Sequence, residues 1–591
     1  MADGVTIALA ALPLIVVSVF LVGFLWPATR AMPLAWFTAV VVGFVVWEMP
    51  PAWLVAATIE GMIIAVQILF IVFGALVLLY TMMRVGAFDV LNQGFATISE
   101  DRRVQVVLVA FFLATFIEGA AGFGTPAAVV APLLLGLGFP ALAAVIAALI
   151  GHGIAVTYGA VGTPIIVGIR EPMTSVSSVH ASIVANEMTA TEFATNVAAW
   201  AATYHLLVGF VMPLVAVGMI VYFFGEERSI RPALEVAPLC LFAGLAFVVP
   251  YWLSAWYISA EFPALIGSMV GGVLVVGTLR RGYFVPDEVW EFPARSEWPD
   301  HWLGSIHPED VRTSFSTGRR ISLLRAWSPY ILLLCLLLLT RVVEPIASVL
   351  QGGSLVVFGI ELPMTLATVG TGIGEFTVGV THVGWAEILG TDLEGRIEFA
   401  YVPGTWLLVS AIAAIPLFGM SLEQVSDAWR EAAYKLRSPL IALVFVLAMV
   451  QVMLQSGAHA DDVDSMIVVL AMTTADVFGP AYPLIAVVIG TLGAALVGSN
   501  TVSNITFGPF QFVAAENLGL SRELVVGAQT VGGAIGNLVA VHNVVAALAT
   551  VGLVGEEGRV IRINLLPLVY YTVFVGLWTL LFVYVLFPET F

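Results

Sequence analysis

Residues 118–126 read EGAAGFGTP and interrupt a long apolar run with an acid, three glycines, a threonine and a proline. Glycine and proline break helices, and non-helical backbone at membrane depth is tolerated only where it is buried in protein or lines a cavity. A carboxyl group at that depth is costly to ionise and marks a functional site by default. The stretch therefore predicts a broken segment that lines a site inside a membrane protein.

The composition places the rest of the chain in a membrane as well. Hydrophobic residues make up 60% of the 591 residues, charged residues 10%, and the mean hydropathy is +1.02. Uncharged windows at 6–26, 61–79 and 563–587 are long enough to cross a hydrocarbon layer of about 30 Å. The first window is longer than a signal-peptide core, so we expect it to stay as a transmembrane helix. We expect an all-α polytopic protein of the cytoplasmic membrane with about 12–14 transmembrane helices.

The charge balance restricts the partners. The net charge is −18, and only one of the 22 basic residues is a lysine, Lys435. An acidic, lysine-poor surface is typical of proteins bathed in high salt, which favours a halophilic archaeon as the source. It argues against nucleic acid as a partner. Cys240 and Cys335 lie in apolar runs, so we expect two core cysteines, no metal site and no cofactor.

Loop charge predicts the topology. Basic residues concentrate in loops at 84–103, 228–231, 280–325 and 430–437, and acids concentrate at 171–192, 361–398 and 459–465. By the positive-inside rule the basic loops face the cytoplasm. The polar, proline-rich segment 280–325 then becomes a cytoplasmic linker between an N-terminal half, 1–279, and a C-terminal half, 326–591. Its Trp, His and Asp residues leave open a binding module, although a solvated linker is the simpler interpretation.

The two halves carry a faint repeat. Residues 118–138 align with 499–519, and each segment has a small polar patch, an apolar run and a Leu-Gly pair. A second glycine-broken patch, 150–163, aligns with 531–544. The flanking loops have opposite charge, which predicts two inverted-topology halves, each with a re-entrant hairpin (near 118–138 and 498–519) and a broken helix. The alternative is chance similarity, because transmembrane helices tolerate glycine.

Broken helices free backbone N–H groups that can hold an anion, and side-chain amides and hydroxyls add to them. Such a site suits a small carboxylate, or a cation held by oxygens. The candidate substrate-binding residues are Gly119, Gly122, Phe123, Gly124, Thr125, Tyr158, Thr163, Ser499, Asn500, Thr501, Ser503, Asn504, Asn537, His542 and Asn543.

Glu118, His152 and His542 are the candidates for proton coupling. Histidine titrates near neutrality, and a buried carboxyl that ionises as a cavity opens can carry a proton. The alternatives are that Glu118 pins the hairpin through hydrogen bonds and that each histidine joins two helices. The other polar residues within apolar segments are expected to pack or line; they are Glu60, His205 and Asp476.

The segment FIEGAAGFGTP (116–126), followed by GSNTVSN (498–504), resembles the L-lactate permease family. The similarity runs from about residue 55 to the C-terminus and is weakest in 280–325 and 345–400. The resemblance implies symport of L-lactate, and often glycolate, with protons across the cytoplasmic membrane. The sequence leaves open whether the protein forms a homodimer.

The chain departs from the pattern of some members at two positions. Those members have Asp where this chain has Asn500 and Lys where it has Asn537. Both charges are absent together, as expected if they form a pair elsewhere. VHN at 541–543 replaces a Ser-Pro-Gln-like stretch, and SNT at 499–501 resembles triplets of sodium-coupled dicarboxylate carriers. A sodium-coupled carboxylate symporter is therefore an alternative.

Other classes find less support in the sequence. The chain has no H-E-x-x-H, no G-x-S-x-G and no phosphate-binding G-x-x-x-x-G-K-[ST] motif, so we expect neither an enzyme nor an ATP-driven pump. A channel is disfavoured, because pores repeat a filter around an oligomer axis. A cation/proton exchanger without an organic substrate would need an acid pair, and Glu118 stands alone.

Overall fold

The structure is a computed structural model that describes residues 4–24, 26–96, 98–306, 321–357, 360–460 and 463–591. Before the linker, its described helices are α1 (Gly4–Ser18), α2 (Ala28–Val45), α3 (Pro51–Arg84), α4 (Ala87–Ala96), α5 (Arg102–Gln105), α6 (Ala114–Ala120), α7 (Thr125–Gly136), α8 (Ala141–His152), α9 (Gly159–Ile166), α10 (Arg170–Ser175), α11 (Ser177–Ala185), α12 (Ala190–Gly209), α13 (Met212–Phe224), α14 (Arg231–Glu235), α15 (Ala237–Tyr257) and α16 (Pro263–Arg280). After it, they are α17 (Leu323–Val342), α18 (Glu344–Leu350), α19 (Pro403–Phe418), α20 (Leu422–Leu454), α21 (Met466–Phe478), α22 (Tyr482–Val497), α23 (Asn500–Asn517), α24 (Arg522–Gly536), α25 (Val541–Thr550) and α26 (Glu557–Leu581).

The helices confirm a polytopic membrane protein. In the described residues, 11 helical stretches are long and apolar enough to cross a membrane, or up to 13 if each of two bent helix pairs counts as one span. This range overlaps the predicted one. Burial divides the spans: the tested window of Gly4–Leu21 is 17% buried, whereas those of Arg102–Ala120 and Ala141–Ser175 are 100% buried. The outer helices therefore face lipid, and the segments around EGAAGFGTP are enclosed by protein.

Two long helices, α3 and α20, pack side by side and link the two halves. They have 34 and 33 residues, so each is about 50 Å long and exceeds the hydrocarbon thickness. Gly61 of α3 allows this close approach, because a Cβ there would lie 2.6 Å from the Cα atom of Ala448 on α20. Small residues at a contact are the usual way in which transmembrane helices come together.

The segments predicted to be hairpins lie at sharp reversals of the chain. In the first half, α5, a π-helical segment (Val106–Leu113) and α6 form one run that ends at a tip, from which α7 returns. In the second half, α22 ends at Gly498 and α23 returns. The predicted ranges contain each tip and its returning helix, and the ingoing helices precede them. The opposite membrane orientation of the two halves stays a prediction.

A broken helix follows each hairpin. In the first half, α8 passes into a 3₁₀ segment, Gly153–Tyr158, before α9. In the second half, α24 passes into the 3₁₀ segment Asn537–Val539 before α25. The same order of hairpin and broken helix therefore occurs twice in the chain.

The first described part of the linker, 280–306, contacts both halves. The Trp290 backbone N–H donates to the carboxylate of Asp101 over 3.0 Å, and the Ser305 N–H donates to the Gly552 carbonyl over 2.9 Å. Asp101 also forms a buried ion pair with Arg103 at the start of the first hairpin, at 2.7 Å. Residues 307–320 of the predicted linker lie outside the described residues.

In the described residues, six short strands lie between 354 and 397, in and just before the acidic stretch that loop charge predicts to be outside the cell. They are β1 (Ser354–Val357), β2 (Ile360–Pro363), β3 (Thr365–Thr371), β4 (Gly374–Gly379), β5 (Val383–Ala386) and β6 (Gly395–Ile397). The first two form one antiparallel sheet, and the other four form a second in the order β3-β4-β5-β6. These strands were not predicted from the sequence. They lie outside the candidate spans, so the helical description of the membrane part holds.

Candidate functional site

Two helices, α7 and α23, begin at the two hairpin tips. At the first tip, Gly122, Phe123 and Gly124 all have left-handed backbone, with φ of +59°, +52° and +76°. At the second, Gly498 has φ +65°, and the Ser499 hydroxyl caps α23 by accepting a hydrogen bond from the Val502 N–H at 3.4 Å. Each ingoing helix thus ends at a tight turn, and α7 and α23 begin there.

A cavity of about 30 Å³ lies between the two tips. It is lined by Glu118, Phe123, Gly124, His152, Val156, Gly159, Ala160, Pro164, Gly498, Ser499, Asn500, Thr501, Asn537 and Asn543. Both hairpins and both broken helices contribute to this lining. A cavity of this volume has room for about two water molecules, so an organic ligand fits only after the lining has moved apart.

The electrostatics of the cavity favour an anion. The first N–H groups of a helix have no intrahelical acceptor, and the helix dipole adds a partial positive charge at the same end. Here α7, with 12 residues, and α23, with 18, both begin at the cavity. Among the described lining residues there is no arginine or lysine. A bound anion would therefore be held by dipoles and amides, as at other helix N-termini.

Asn500 provides an unpaired donor and acceptor in the cavity. Its side chain is buried, with 2% of its surface exposed, and neither Nδ2 nor Oδ1 has a hydrogen-bond partner in the described protein. Buried polar groups are almost always paired, because an unpaired amide loses its bonds to water. The amide is therefore free to bind a ligand at the start of α23.

Glu118 is the one carboxyl group in the described lining. Its exposed fraction is 3%, and no hydrogen-bond donor contacts its carboxyl group within the described residues. One carboxyl oxygen lies against Gly159, where a Cβ would overlap it. The hydrogen bonds that a structural pin requires are thus not found here. The geometry instead leaves a buried acid facing the cavity.

His152 faces the same cavity with a defined tautomer. Its Nδ1 lies 2.7 Å from the carbonyl oxygen of Ala148. A carbonyl only accepts, so Nδ1 carries the hydrogen and Nε2 of the neutral ring is an acceptor. The ring can therefore take a proton or a hydroxyl hydrogen from the cavity.

The VHN stretch joins the second broken helix to both tips. The His542 ring packs against Gly498, where a Cβ would overlap the ring. A Cβ on Gly124 would lie 2.7 Å from Oδ1 of Asn543, while Nδ2 of Asn543 donates to Oδ1 of Asn537 at 3.0 Å. Two adjacent residues of α25 thus fix the spacing of the tips.

A comparison with protein families identifies the chain. The family model described as L-lactate permease matches residues 6–586. The chain belongs to the L-lactate permease family. The resemblance carried by FIEGAAGFGTP and GSNTVSN is thereby confirmed.

Relatives match over most of their length. The L-lactate permease of Salmonella typhimurium is 28% identical over 93% of this chain and 90% of its own. The glycolate permease GlcA of Escherichia coli is 26% identical over 93% of this chain and 87% of its own. Among solved structures, the antimetabolite efflux pump MtrF of Neisseria gonorrhoeae aligns with a TM-score of 0.39 and 13% identity, covering 87% of this chain and 81% of that one.

The two positions at which this family member lacks the Asp and Lys are neighbours. The Asn537 side chain donates from Nδ2 to the Gly533 carbonyl at 3.0 Å. Asn500 packs its amide oxygen against the same glycine, and both asparagines line the cavity. A charged pair at these positions would therefore sit beside the tips.

Eight predicted site residues lie outside the cavity lining; they are Gly119, Gly122, Thr125, Tyr158, Thr163, Ser503, Asn504 and His542. Most of the polar residues among them donate a hydrogen bond to a backbone carbonyl. Thr125 donates to the Gly122 carbonyl at 2.7 Å, and Asn504 donates to the Pro164 carbonyl at 3.0 Å. Gly119 packs against Ala264 of α16. These contacts hold the tips and the broken helix in place.

The polar residues expected to pack do have partners. Glu60 accepts a hydrogen bond from Gln455 at 3.2 Å, and His205 is 2.7 Å from the hydroxyl of Thr157. Asp476 accepts from Asn517 at 3.4 Å.

The sequence predicted a break at 150–163, but it did not indicate four residues of this segment that line the cavity; they are Val156, Gly159, Ala160 and Pro164. Ala160 and Val161 have left-handed backbone, with φ of +44° and +56°, and such geometry is costly for residues with a Cβ. Beside them, Gly162 packs against the 260–261 backbone, where Glu261 forms a buried ion pair with Arg341 of α17. The glycines at 159 and 162 were the signal in the sequence for this break. Nothing in the sequence indicated the ion pair with the distant Arg341.

Replacing Asn500 by alanine is expected to weaken substrate binding without loss of stability. The amide has no partner among the described residues, so its removal costs no hydrogen bond within them. A lost bond to a charged ligand costs about 1.5–3 kcal/mol, or roughly tenfold or more in affinity. Asn564→Ala is the control, because this buried amide donates to the Leu538 carbonyl at 2.8 Å and should lower the melting temperature. Unchanged transport in Asn500→Ala would contradict the assignment.

Proposed function

We propose that this protein is a secondary active transporter that imports L-lactate, or a related small monocarboxylate such as glycolate, by proton symport across the cytoplasmic membrane. The names of the L-lactate and glycolate permease relatives support the substrate class. The observation that carries the proposal is the cavity at which both hairpin tips and both broken helices meet. Substrate sites of many secondary transporters lie where such broken helices converge.

The substrate carboxylate would bind between the helix starts. The start of α23 and the Asn500 amide line this position, and α7 contributes mainly its dipole, because the Thr125 N–H donates to the Gly122 carbonyl and Pro126 has no N–H. Holding the anion with dipoles rather than with a guanidinium avoids the cost of burying a fixed charge whenever the site is empty. The hydroxyl group of a 2-hydroxy acid would find acceptors in Asn543 Oδ1 and in Nε2 of His152.

Proton coupling would follow from Glu118. A bound carboxylate and an ionised Glu118 in the same buried cavity repel each other, and a proton on Glu118 removes that repulsion. Proton and anion therefore favour each other's binding, and the coupling is reciprocal. His152 is placed to exchange the proton as the cavity opens.

The sodium-coupled alternative also has an observation in its favour. The Asn500 Oδ1 atom and the Ser499 and Thr501 residues present oxygen ligands at the second tip, and hard cations prefer oxygen. An exchanger without an organic substrate is less well supported, because Glu118 is the one acid in the described lining.

Counterflow tests the transport proposal without any ion gradient. Proteoliposomes preloaded with unlabelled L-lactate should take up labelled L-lactate, and internal glycolate should support the same exchange. Succinate, a dicarboxylate, is the comparison substrate. Exchange of succinate without exchange of L-lactate or glycolate would overturn the assignment of the substrate class.

A further inference from the structure

A second cavity, of about 420 Å³, lies at the face that carries the basic loops. Its walls come from the end of α13, the loop after it, the first turns of α26 and the linker segment 299–302. The cavity between the hairpin tips, called the transport cavity below, has only α8 in common with it among the described lining elements. Leu142, near the start of α8, is the residue that lines the second cavity. The linker residues involved include His301 and Trp302, which the transport mechanism does not use.

Three arginines give this cavity a positive charge. Arg228 and Arg562 line it, and neither has a carboxylate partner in the described part of the chain; Arg559 pairs with Glu556 at 2.8 Å. Asp300 and Glu556 lie close to His301, but no carboxylate belongs to the described lining. In a chain of net charge −18, two solvent-exposed guanidinium groups without a carboxylate partner at one cavity favour the approach of an anion.

The remaining walls are aromatic. Tyr222, Phe223 and Trp302 line the cavity, and the Trp302 ring packs on Phe224 with ring centroids 4.9 Å apart. Burial and the charge of Arg559 lower the pKa of His301, so the positive charge comes from the arginines. Guanidinium groups beside aromatic surface suit a phosphate, which accepts two parallel hydrogen bonds from each guanidinium.

We propose that this cavity binds a phosphate group between Arg228 and Arg562 and that the bound phosphate joins the loop after α13 to the first turns of α26. The phosphate belongs either to the headgroup of an anionic phospholipid or to a soluble phosphate compound. The chemistry of recognition is the same in both cases. The site does not depend on the proposed transport function, because it uses none of the residues that line the transport cavity.

Thermal unfolding of the full-length protein in detergent tests this site. One arm adds inorganic pyrophosphate, and the other adds phosphatidylglycerol or phosphatidylcholine to the micelles, all at constant ionic strength. The melting temperature should rise with the concentration of the phosphate ligand. In an Arg228→Gln/Arg562→Gln variant the apparent affinity should fall by roughly tenfold or more per arginine.

The matched control is Arg280→Gln/Arg281→Gln, two exposed arginines on the same face that do not line the cavity. It should respond as the unaltered protein does. A response to pyrophosphate identifies a soluble ligand, and a response to phosphatidylglycerol alone identifies a lipid headgroup; either supports the site. No response in either arm, or an equal response in the double variant, overturns it. If the double variant does not fold, Arg562→Gln alone provides the same comparison.

Discussion

Replacing Glu118 by glutamine is expected to abolish proton-driven accumulation of substrate while leaving substrate exchange in place. Glutamine has nearly the same shape, so the contact with Gly159 is kept, but it cannot release a proton. One pH unit provides about 1.4 kcal/mol, which is about tenfold accumulation for a one-proton symporter. In Glu118→Gln the internal concentration should not exceed the external one. Uptake and counterflow in the same proteoliposomes measure the two properties separately.

The matched control is Glu523→Gln. Glu523 is also a buried acid, with 4% exposure, but it accepts a hydrogen bond from Asn196 at 2.8 Å and lies outside the cavity. This variant should keep its proton dependence. Tenfold accumulation by Glu118→Gln under a one-unit pH gradient would show that another group carries the proton.

The second large effect is expected from Gly498→Ala, which should strongly reduce transport. A Cβ at this position would overlap the His542 ring, so the second tip or α25 has to move. The displaced residues line the cavity or set the spacing of its two tips. We expect transport to fall by about two orders of magnitude, since a misplacement of about 1 Å in a bound geometry has effects of that size.

Gly519→Ala separates this overlap from backbone strain. Gly519 has the same φ of +65°, but no other atom of the described residues lies within 4 Å of its Cβ position. In both variants the left-handed backbone conformation costs about 1–2 kcal/mol of stability, because the new residue has a Cβ. Comparable transport by the two variants would mean that the contact with His542 is unimportant. Size-exclusion profiles of both variants establish that each protein is folded.

The membrane fold could be predicted from the sequence because it depends on local patterns. Long apolar windows require helices in a bilayer, and clustered glycines require breaks. The same logic predicted nine of the residues that line the cavity between the tips; they are Glu118, Phe123, Gly124, His152, Ser499, Asn500, Thr501, Asn537 and Asn543. Polar side chains beside a helix break in an apolar segment are expected to line a cavity, because lipid offers them no hydrogen-bond partners.

The rest depends on contacts between distant residues. The buried pair of Arg341 and Glu261 joins segments that are far apart in the chain, and neither residue stands out in its own surroundings. Similarly, Gly159 faces Glu118 because the broken helix folds back on the hairpin. The strands of 354–397 were missed because their pairing is set by tertiary contacts rather than by a clear alternation of residues.

The central claim, that a carboxylate and a proton share the cavity between the tips, is tested most directly by gradient-driven uptake. Labelled L-lactate uptake into proteoliposomes is measured with an inward proton gradient or an inward sodium gradient, each imposed alone. The account predicts accumulation with the proton gradient and only equilibration with the sodium gradient. Accumulation driven by sodium alone would contradict it and would make Ser499, Asn500 and Thr501 the ion ligands to test.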